Sequence, residues 1–216
     1  MLVYYISLCI FSYLLGSINF ARIAAFLWRK PIKEGENPGA TVVFHQISKS
    51  AGIFTALFDI LKGAFPTFLA QYYFSNIHQG YIETSFRYSY FELPFFTLLV
   101  GALAILGHCW PIYYKFKGGR GGATTCGVAL VVLLKILPLP VWIILLLIYL
   151  FLIFVLRMDL LPIGFIFLPI ILFLIFFYHG PIVFYRYFLG IALITFILVI
   201  RNHDKFRNSW KRVNDK

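Results

Sequence analysis

Long apolar stretches separated by short polar connections limit most strongly how this chain can fold. A helix needs roughly 20 mostly apolar residues to cross the hydrocarbon core of a bilayer. Stretches of about that length lie at residues 3–27, 51–74, 93–112, 122–138, 140–157, 160–179 and 182–200. The sequence therefore predicts an all-α polytopic membrane protein with seven transmembrane helices, forming one integral membrane domain over residues 1–216.

Composition supports this prediction. Of the 216 residues, 61% are hydrophobic and only 12% are charged, whereas a soluble domain carries about 25% charged residues. The first stretch has no basic start and no clear cleavage site, so we expect it to be a retained helix. The cysteines Cys9, Cys109 and Cys126 lie far apart in apolar surroundings and read as small hydrophobic residues.

The basic residues indicate an orientation. If the amino terminus lies outside, most of the 19 lysines and arginines fall in inside loops 28–50, 113–121 and 157–159 or in the tail from Arg201. Positive charge accumulates on the cytoplasmic side of membrane proteins. We therefore expect the amino terminus outside and the carboxyl terminus in the cytoplasm. Topology also explains the net charge of +11, so no nucleic-acid partner is expected.

A glycine-rich basic segment, "YKFKGGRGGATT" at residues 114–125, connects the third and fourth predicted spans. Lys115, Lys117 and Arg120 surround its glycines, and glycine lets a backbone approach a ligand closely. One interpretation is a cytoplasmic turn whose charges set topology. The other is a phosphate cradle that the start of the following helix would complete. No metal-binding or nucleophile-elbow motif occurs, so no metal or other cofactor is expected.

Two further sequence features each have a structural and a functional interpretation. Asn37-Pro38-Gly39 is a turn sequence in which Gly39 can take positive φ, and its amides could hold an anion; an ordinary connecting loop is the alternative. Asp59 and Lys62 are three residues apart on a predicted span, so they share a helix face and can pair. Ionisable groups at membrane depth are costly, and the pair could serve structure or chemistry.

The residues after the last predicted span, 201–216, are basic and amphipathic. Such a segment can rest on anionic lipid headgroups. Alternatively, His203 could turn back into a site.

Four stretches, in order, resemble one family. They are "YLLGSINFA" (13–21), "ENPGAT…KSAG…LFDILKG" (36–63), "GHCWPIYYKFKGGRGGATTCGV" (107–128) and "ILVIRNHDKFRNSWKR" (197–212). Together they resemble the motifs of the bacterial acyl-phosphate:glycerol-3-phosphate acyltransferases of the PlsY type. The resemblance implies a seven-helix protein of the bacterial cytoplasmic (inner) membrane. It also implies acyl transfer from acyl phosphate to glycerol 3-phosphate, giving lysophosphatidic acid among membrane lipids, with no metal and no acyl-enzyme.

The resemblance also implies roles for individual residues. The catalytic residues would be His203 and Asn37. The substrate-binding residues would be Gly39, Ala40, Thr41, His45, Lys117, Gly118, Gly119, Arg120, Gly121 and Asn202. The supporting residues would be Ser17, Asp59, Lys62 and His108.

The sequence departs from the family pattern at several of these motifs. Val42 and His45 replace an asparagine and an arginine, and "RMDLLPIG" (157–164) stands where the family has a serine motif. Two alternatives therefore stay open. One is transfer to another small acceptor. The other is a non-catalytic membrane partner or scaffold, in which Glu34 or Glu36 would occupy the phosphate site. A transporter is a weaker alternative, because the motifs lie on one side.

Overall fold

The computed structural model describes most of the chain. The described residues are 2–33, 36–80, 89–136, 138, 140, 144, 147, 173–177, 180–181, 184–185 and 187–204. Their regular structure is helical, which confirms the predicted all-α class for this part of the chain. The elements are α1 (Leu2–Gly16), α2 (Phe20–Leu27), α3 (Ala40–Gln46), α4 (Lys49–Gly80), α5 (Ser89–Cys109), a 3₁₀ turn (Ile112–Tyr114), α6 (Gly122–Ile136) and a final helix (Tyr187–Asp204).

Among the described residues, four stretches are long and apolar enough to cross a membrane: Val3–Leu27, Lys49–Tyr73, Pro94–Tyr114 and Tyr187–Asp204. They coincide with the first, second, third and seventh predicted spans. The fourth predicted span contains a shorter apolar helix, Gly122–Val132. The fifth and sixth predicted spans, 140–157 and 160–179, lie almost entirely outside the described residues, as does the tail from residue 205.

The first predicted span, residues 3–27, is present but is interrupted by a break between α1 and α2. In a continuous helix the N–H of Arg22 would donate to the carbonyl of Ile18. Instead it donates to the side-chain oxygen of Asn19, 3.1 Å away, and Asn19 caps the start of α2. The carbonyl of Ile18 accepts from the Lys62 ammonium at 2.8 Å. The Asn19 side chain and the buried Lys62 ammonium thus satisfy the two backbone groups that the break in the helix leaves unpaired.

Small residues let the helices around the glycine-rich segment approach closely. A Cβ placed on Gly63 of α4 would overlap the carbonyl of Thr124, and one on Gly127 of α6 would overlap the carbonyl of Ile60. On the other side, Gly107 of α5 lies against the backbone of α1 near Tyr13. Such contacts are the usual way for membrane helices to pack. They position both helices that flank the segment.

A hydrophobic cluster joins α5, α6 and the final helix. Its buried members include Ile105, Cys109, Val128, Ile194 and Leu198. Cys109 packs there as a small apolar residue, and Cys9 and Cys109 are free thiols. This packing brings the end of the final helix beside the connection between α5 and α6.

Candidate functional site

The connection between α5 and α6 folds back onto the end of α5. Lys115 and Phe116 adopt left-handed backbone conformations with φ of 51° and 59°, and two such residues in succession reverse the chain. The N–H of Gly119 then donates to the carbonyl of His108 at 3.1 Å. The segment 118–121, called here the glycine loop, therefore lies directly on the last turn of α5.

The glycines of this loop are required by space and by backbone conformation. A Cβ on Gly119 would overlap the imidazole of His108, and one on Gly118 would overlap the carbonyl of the same residue. Gly121 has φ of +89°, a conformation that side chains disfavour. Gly118, Gly119 and Gly121 are all buried. Glycine is thus the residue that lets this loop close on α5.

A buried charge cluster lies beneath the glycine loop. The Asp59 carboxylate is 2.6 Å from the Lys62 ammonium, which confirms the pairing expected from their spacing. The same carboxylate oxygen is 3.5 Å from Nδ1 of His108, whose ring contacts the loop. Lys62 in turn holds the α1–α2 break through Ile18. Ser17, also buried, donates to the carbonyl of Tyr13 at 2.8 Å. His108 thus links the glycine loop to the buried Asp59–Lys62 pair, and Lys62 links that pair to the break between α1 and α2.

Arg201, near the end of the final helix, joins two loops that are distant in sequence. Its Nε donates to the carbonyl of Gly119 at 2.8 Å, and its Nη2 donates to that of Gly118 at 2.5 Å. Nη2 also lies 3.3 Å from Oδ1 of Asn37, and the guanidinium is 5.7 Å from the ring centroid of Trp110. Arg201 therefore connects the loop that contains Asn37, residues 36–39, called here the first loop, to the glycine loop.

Asn202, the next residue of the final helix, also contacts the glycine loop. Its Nδ2 donates to the carbonyl of Arg120 at 3.2 Å and to that of Leu198 at 2.9 Å. Its Oδ1 is buried and has no hydrogen-bond partner within the described part of the chain. Of the two residues proposed at this end of the protein, Asn202 reaches the glycine loop.

In the described part of the chain, the side chains of the other candidates form no hydrogen bond or ion pair with Asn37 or Arg201. Thr41 and His45 are exposed on α3, the side chains of Lys117 and Arg120 are exposed, and Gly39 and Ala40 are half-buried. His203 is 68% exposed, and its Nδ1 lies 3.9 Å from an Asp204 oxygen. The roles of these residues therefore stay predictions.

The expectation for the backbone of Gly39 was wrong. Its φ of −150° and ψ of 167° are extended, a conformation that any residue adopts. A Cβ there would meet nothing within 4 Å. The turn at Asn37-Pro38 closes without a left-handed residue, so neither space nor backbone requires glycine at this position.

Glu36 does not act as an internal ligand. It is exposed, and among the described residues its carboxylate forms no ion pair. Glu34, Lys205 and the segment 157–164 lie outside the described residues.

Sequence reasoning missed Arg201, which it counted only among the charges that set topology. The available signal was its position as the first cation after the last apolar stretch, inside a segment that resembles a family motif. Its partners are 82 to 164 residues away in sequence. No local pattern could identify them.

The chain is similar to one family of known proteins. The model of the family described as glycerol-3-phosphate acyltransferase matches residues 6–212. Glycerol-3-phosphate acyltransferases of Francisella tularensis subsp. novicida and Francisella philomiragia are each 38% identical over 124 residues, 56% of this chain and 52% of theirs. The matched stretch thus spans about half the length of these curated relatives.

Crystal structures of PlsY, an integral membrane glycerol 3-phosphate acyltransferase, share the fold. Its lysophosphatidic acid form has a TM-score of 0.68 at 25% identity, covering 96% of this chain and 92% of that one. Its glycerol 3-phosphate form has a TM-score of 0.69 at 24% identity, with the same coverage. With the four candidate spans, this likeness makes the chain a multi-pass membrane protein. The chain belongs to the glycerol-3-phosphate acyltransferase family.

Proposed function

We propose that this protein transfers a fatty acyl group from acyl phosphate to the 1-hydroxyl of glycerol 3-phosphate. The products would be lysophosphatidic acid and inorganic phosphate. The proposal rests on one observation: Arg201 joins Asn37 to the glycine loop. It does so in a chain that the family model matches over residues 6–212. The likeness to an acyltransferase structure in its lysophosphatidic acid form supports the same reaction.

The chemistry of the junction suits two phosphorylated substrates. Main-chain amides of the glycine loop and the exposed cations Lys117 and Arg120 can bind phosphate oxygens. An acyl phosphate is already activated, so holding it beside the acceptor hydroxyl supplies much of the rate. Amide donors at the loop would stabilise the oxyanion that develops on the acyl carbon. No acyl-enzyme is required.

The remaining assignments are part of this proposal. Asn37 and His203 would be catalytic, with Asn37 held by Arg201 and His203 one residue beyond the Asn202 contact. Substrate would bind to the glycine loop and to the start of α3 at Gly39, Ala40, Thr41 and His45. Ser17, Asp59, Lys62 and His108 would support the loop from beneath, as their buried contacts allow.

The proposed setting is the bacterial cytoplasmic membrane. Seven spans with the amino terminus outside would place the glycine loop and the end of the final helix on the cytoplasmic side. The clustering of basic residues on that side supports this orientation. Reporter fusions after residue 33 and after residue 88 test it, because the first should report a cytoplasmic position and the second an external one.

The reaction is tested with the purified full chain in detergent or nanodiscs. Palmitoyl phosphate and radiolabelled glycerol 3-phosphate should yield labelled lysophosphatidic acid and one inorganic phosphate per turnover. Product from a different hydroxyl or amine acceptor, with none from glycerol 3-phosphate, would assign another acceptor. No turnover with any acceptor, together with a co-purifying membrane protein, would assign a non-catalytic role.

A further inference from the structure

Three successive carbonyls of the glycine loop are bound by two adjacent residues of the final helix. Arg201 binds the carbonyls of Gly118 and Gly119 at 2.5 and 2.8 Å, and Asn202 binds that of Arg120 at 3.2 Å. All three oxygens therefore face the final helix. A guanidinium fork suits two neighbouring oxygens, because its N–H groups are fixed in one plane.

Binding the carbonyls also orients the amides. The described chain has no cis peptide bond, so each carbonyl is opposed to the N–H of the next residue. The N–H of Gly119 is accordingly turned toward α5, where it donates to His108. The N–H groups of Arg120 and Gly121 face away from the final helix and donate to no acceptor among the described residues. A main-chain N–H without an acceptor is costly unless water or a ligand takes it.

Glycine makes this arrangement easy to lose. Peptide units flanked by glycine can rotate with little steric penalty, because both signs of φ are accessible. A rotated unit would turn a carbonyl oxygen, instead of an N–H, toward an incoming anion. Something outside the loop must hold the carbonyls, and in this structure Arg201 and Asn202 contact them.

We propose that Arg201 and Asn202 are positioning residues that hold the loop carbonyls back and so present the N–H groups of Arg120 and Gly121 to a substrate phosphate. This inference rests on the proposed function, since it deepens how the glycine loop would bind phosphate. In this arrangement Arg201 acts through the loop and not as the main phosphate contact, because its Nε and Nη2 are already engaged by neutral oxygens.

The test compares three variants with one control. Arg201→Gln removes the fork, Arg201→Lys keeps the charge without the fork, and Asn202→Leu keeps similar size but removes the donor without adding charge. Arg22→Gln is the control: it removes one positive charge from a side chain that is exposed and stacks on Tyr114, 5.0 Å from the ring centroid, without contacting the glycine loop. Each variant is assayed for KM and kcat with glycerol 3-phosphate. Binding of inorganic phosphate is measured separately by calorimetry, without turnover.

For Arg201→Gln and Asn202→Leu we expect KM for glycerol 3-phosphate and Kd for phosphate to rise about tenfold or more. Their kcat should change less than KM, Arg201→Lys should recover part of the affinity, and Arg22→Gln should match the unmodified protein. If Arg201→Gln does not purify in folded form, Asn202→Leu alone tests the inference. A lower unfolding temperature with unchanged phosphate affinity would overturn the inference, because the residues would then be merely structural.

The outcomes separate this inference from the proposed function. If the unmodified protein makes lysophosphatidic acid and the variants behave like Arg22→Gln, the positioning role fails while the reaction stands. If the unmodified protein binds phosphate but transfers no acyl group, and the variants lose phosphate binding, the positioning role is supported. The proposed acyl transfer is then contradicted. If the unmodified protein neither binds phosphate nor transfers acyl groups, both fail.

Discussion

The first loop, residues 36–39, and the glycine loop, residues 118–121, carry similar predictions from sequence but differ in structure. Both contain glycine in a family-like motif, and both suggested anion-binding turns. Gly119 is buried against His108 and Gly121 has φ of +89°, whereas Gly39 is extended and has open space around its Cα. The comparison shows that the same residue type serves close backbone approach in one loop and is not structurally required in the other.

The difference follows from what lies beneath each loop. The glycine loop rests on His108, which connects to the buried Asp59–Lys62 pair, and its carbonyls are bound by the final helix. In the part of the chain that the structure describes, the first loop reaches the same junction through a hydrogen bond of the Asn37 side chain. A change in the buried cluster should therefore disturb the glycine loop far more than the first loop.

The largest effect is expected from Asp59→Ala. It leaves the buried Lys62 ammonium without its carboxylate, and breaking a buried pair costs about 3–5 kcal/mol. The thermal unfolding temperature in detergent should fall strongly, and proteolysis should increase in the glycine loop before the first loop. The matched control is Asp59→Leu with Lys62→Met, which removes both charges and should recover much of the stability. A single variant as stable as this double variant would contradict the buried-pair account.

Gly119→Ala should have the next largest effect. The added methyl group overlaps the His108 ring, and overpacking of this kind costs about 1–3 kcal/mol. Acyl transfer should fall further than stability, because the loop must shift to admit the methyl group. Activity and unfolding temperature, measured on the same preparation, check both parts. Full activity would mean that the loop tolerates displacement.

A double-mutant cycle sharpens the cause of that effect. His108→Ala makes room for the methyl group, so it should rescue Gly119→Ala with a coupling energy of about 0.5–3 kcal/mol. The control cycle pairs His108→Ala with Gly39→Ala and should be additive within about 0.5 kcal/mol. Additivity in the first cycle, measured by unfolding temperature, would exclude the ring contact as the reason for glycine.

The smallest effect is expected from Gly39→Ala. An alanine fits the extended backbone and loses less entropy on folding, while glycine is the better residue at the start of α3. These contributions oppose each other, so the free energy of unfolding should change by no more than about 0.5 kcal/mol. Unfolding temperature is the measurement. A loss as large as that of Gly119→Ala would remove the distinction between the two loops.

Local features of the site could be predicted because their causes are local. Asp59 and Lys62 are one helical turn apart, so their spacing alone indicated the 2.6 Å pair. The break at Ile18–Asn19 was not predicted, because it depends on a cation from another helix. His203 and Asn202 could not be distinguished in sequence. Packing of the final helix against α5 and α6 decides that Asn202 faces the loop.

By itself, the sequence determined that this protein is an all-α membrane chain and where several of its spans lie. The reason is that the length of each apolar stretch and the positions of the charged residues are properties of the sequence itself. The sequence also determined the family, through motifs that keep their order and spacing. Only the tertiary structure decided that Arg201 joins Asn37 to the glycine loop, across 164 and 83 residues of sequence. Hydrogen bonds over such separations depend on how helices pack, and packing is a property of the whole fold.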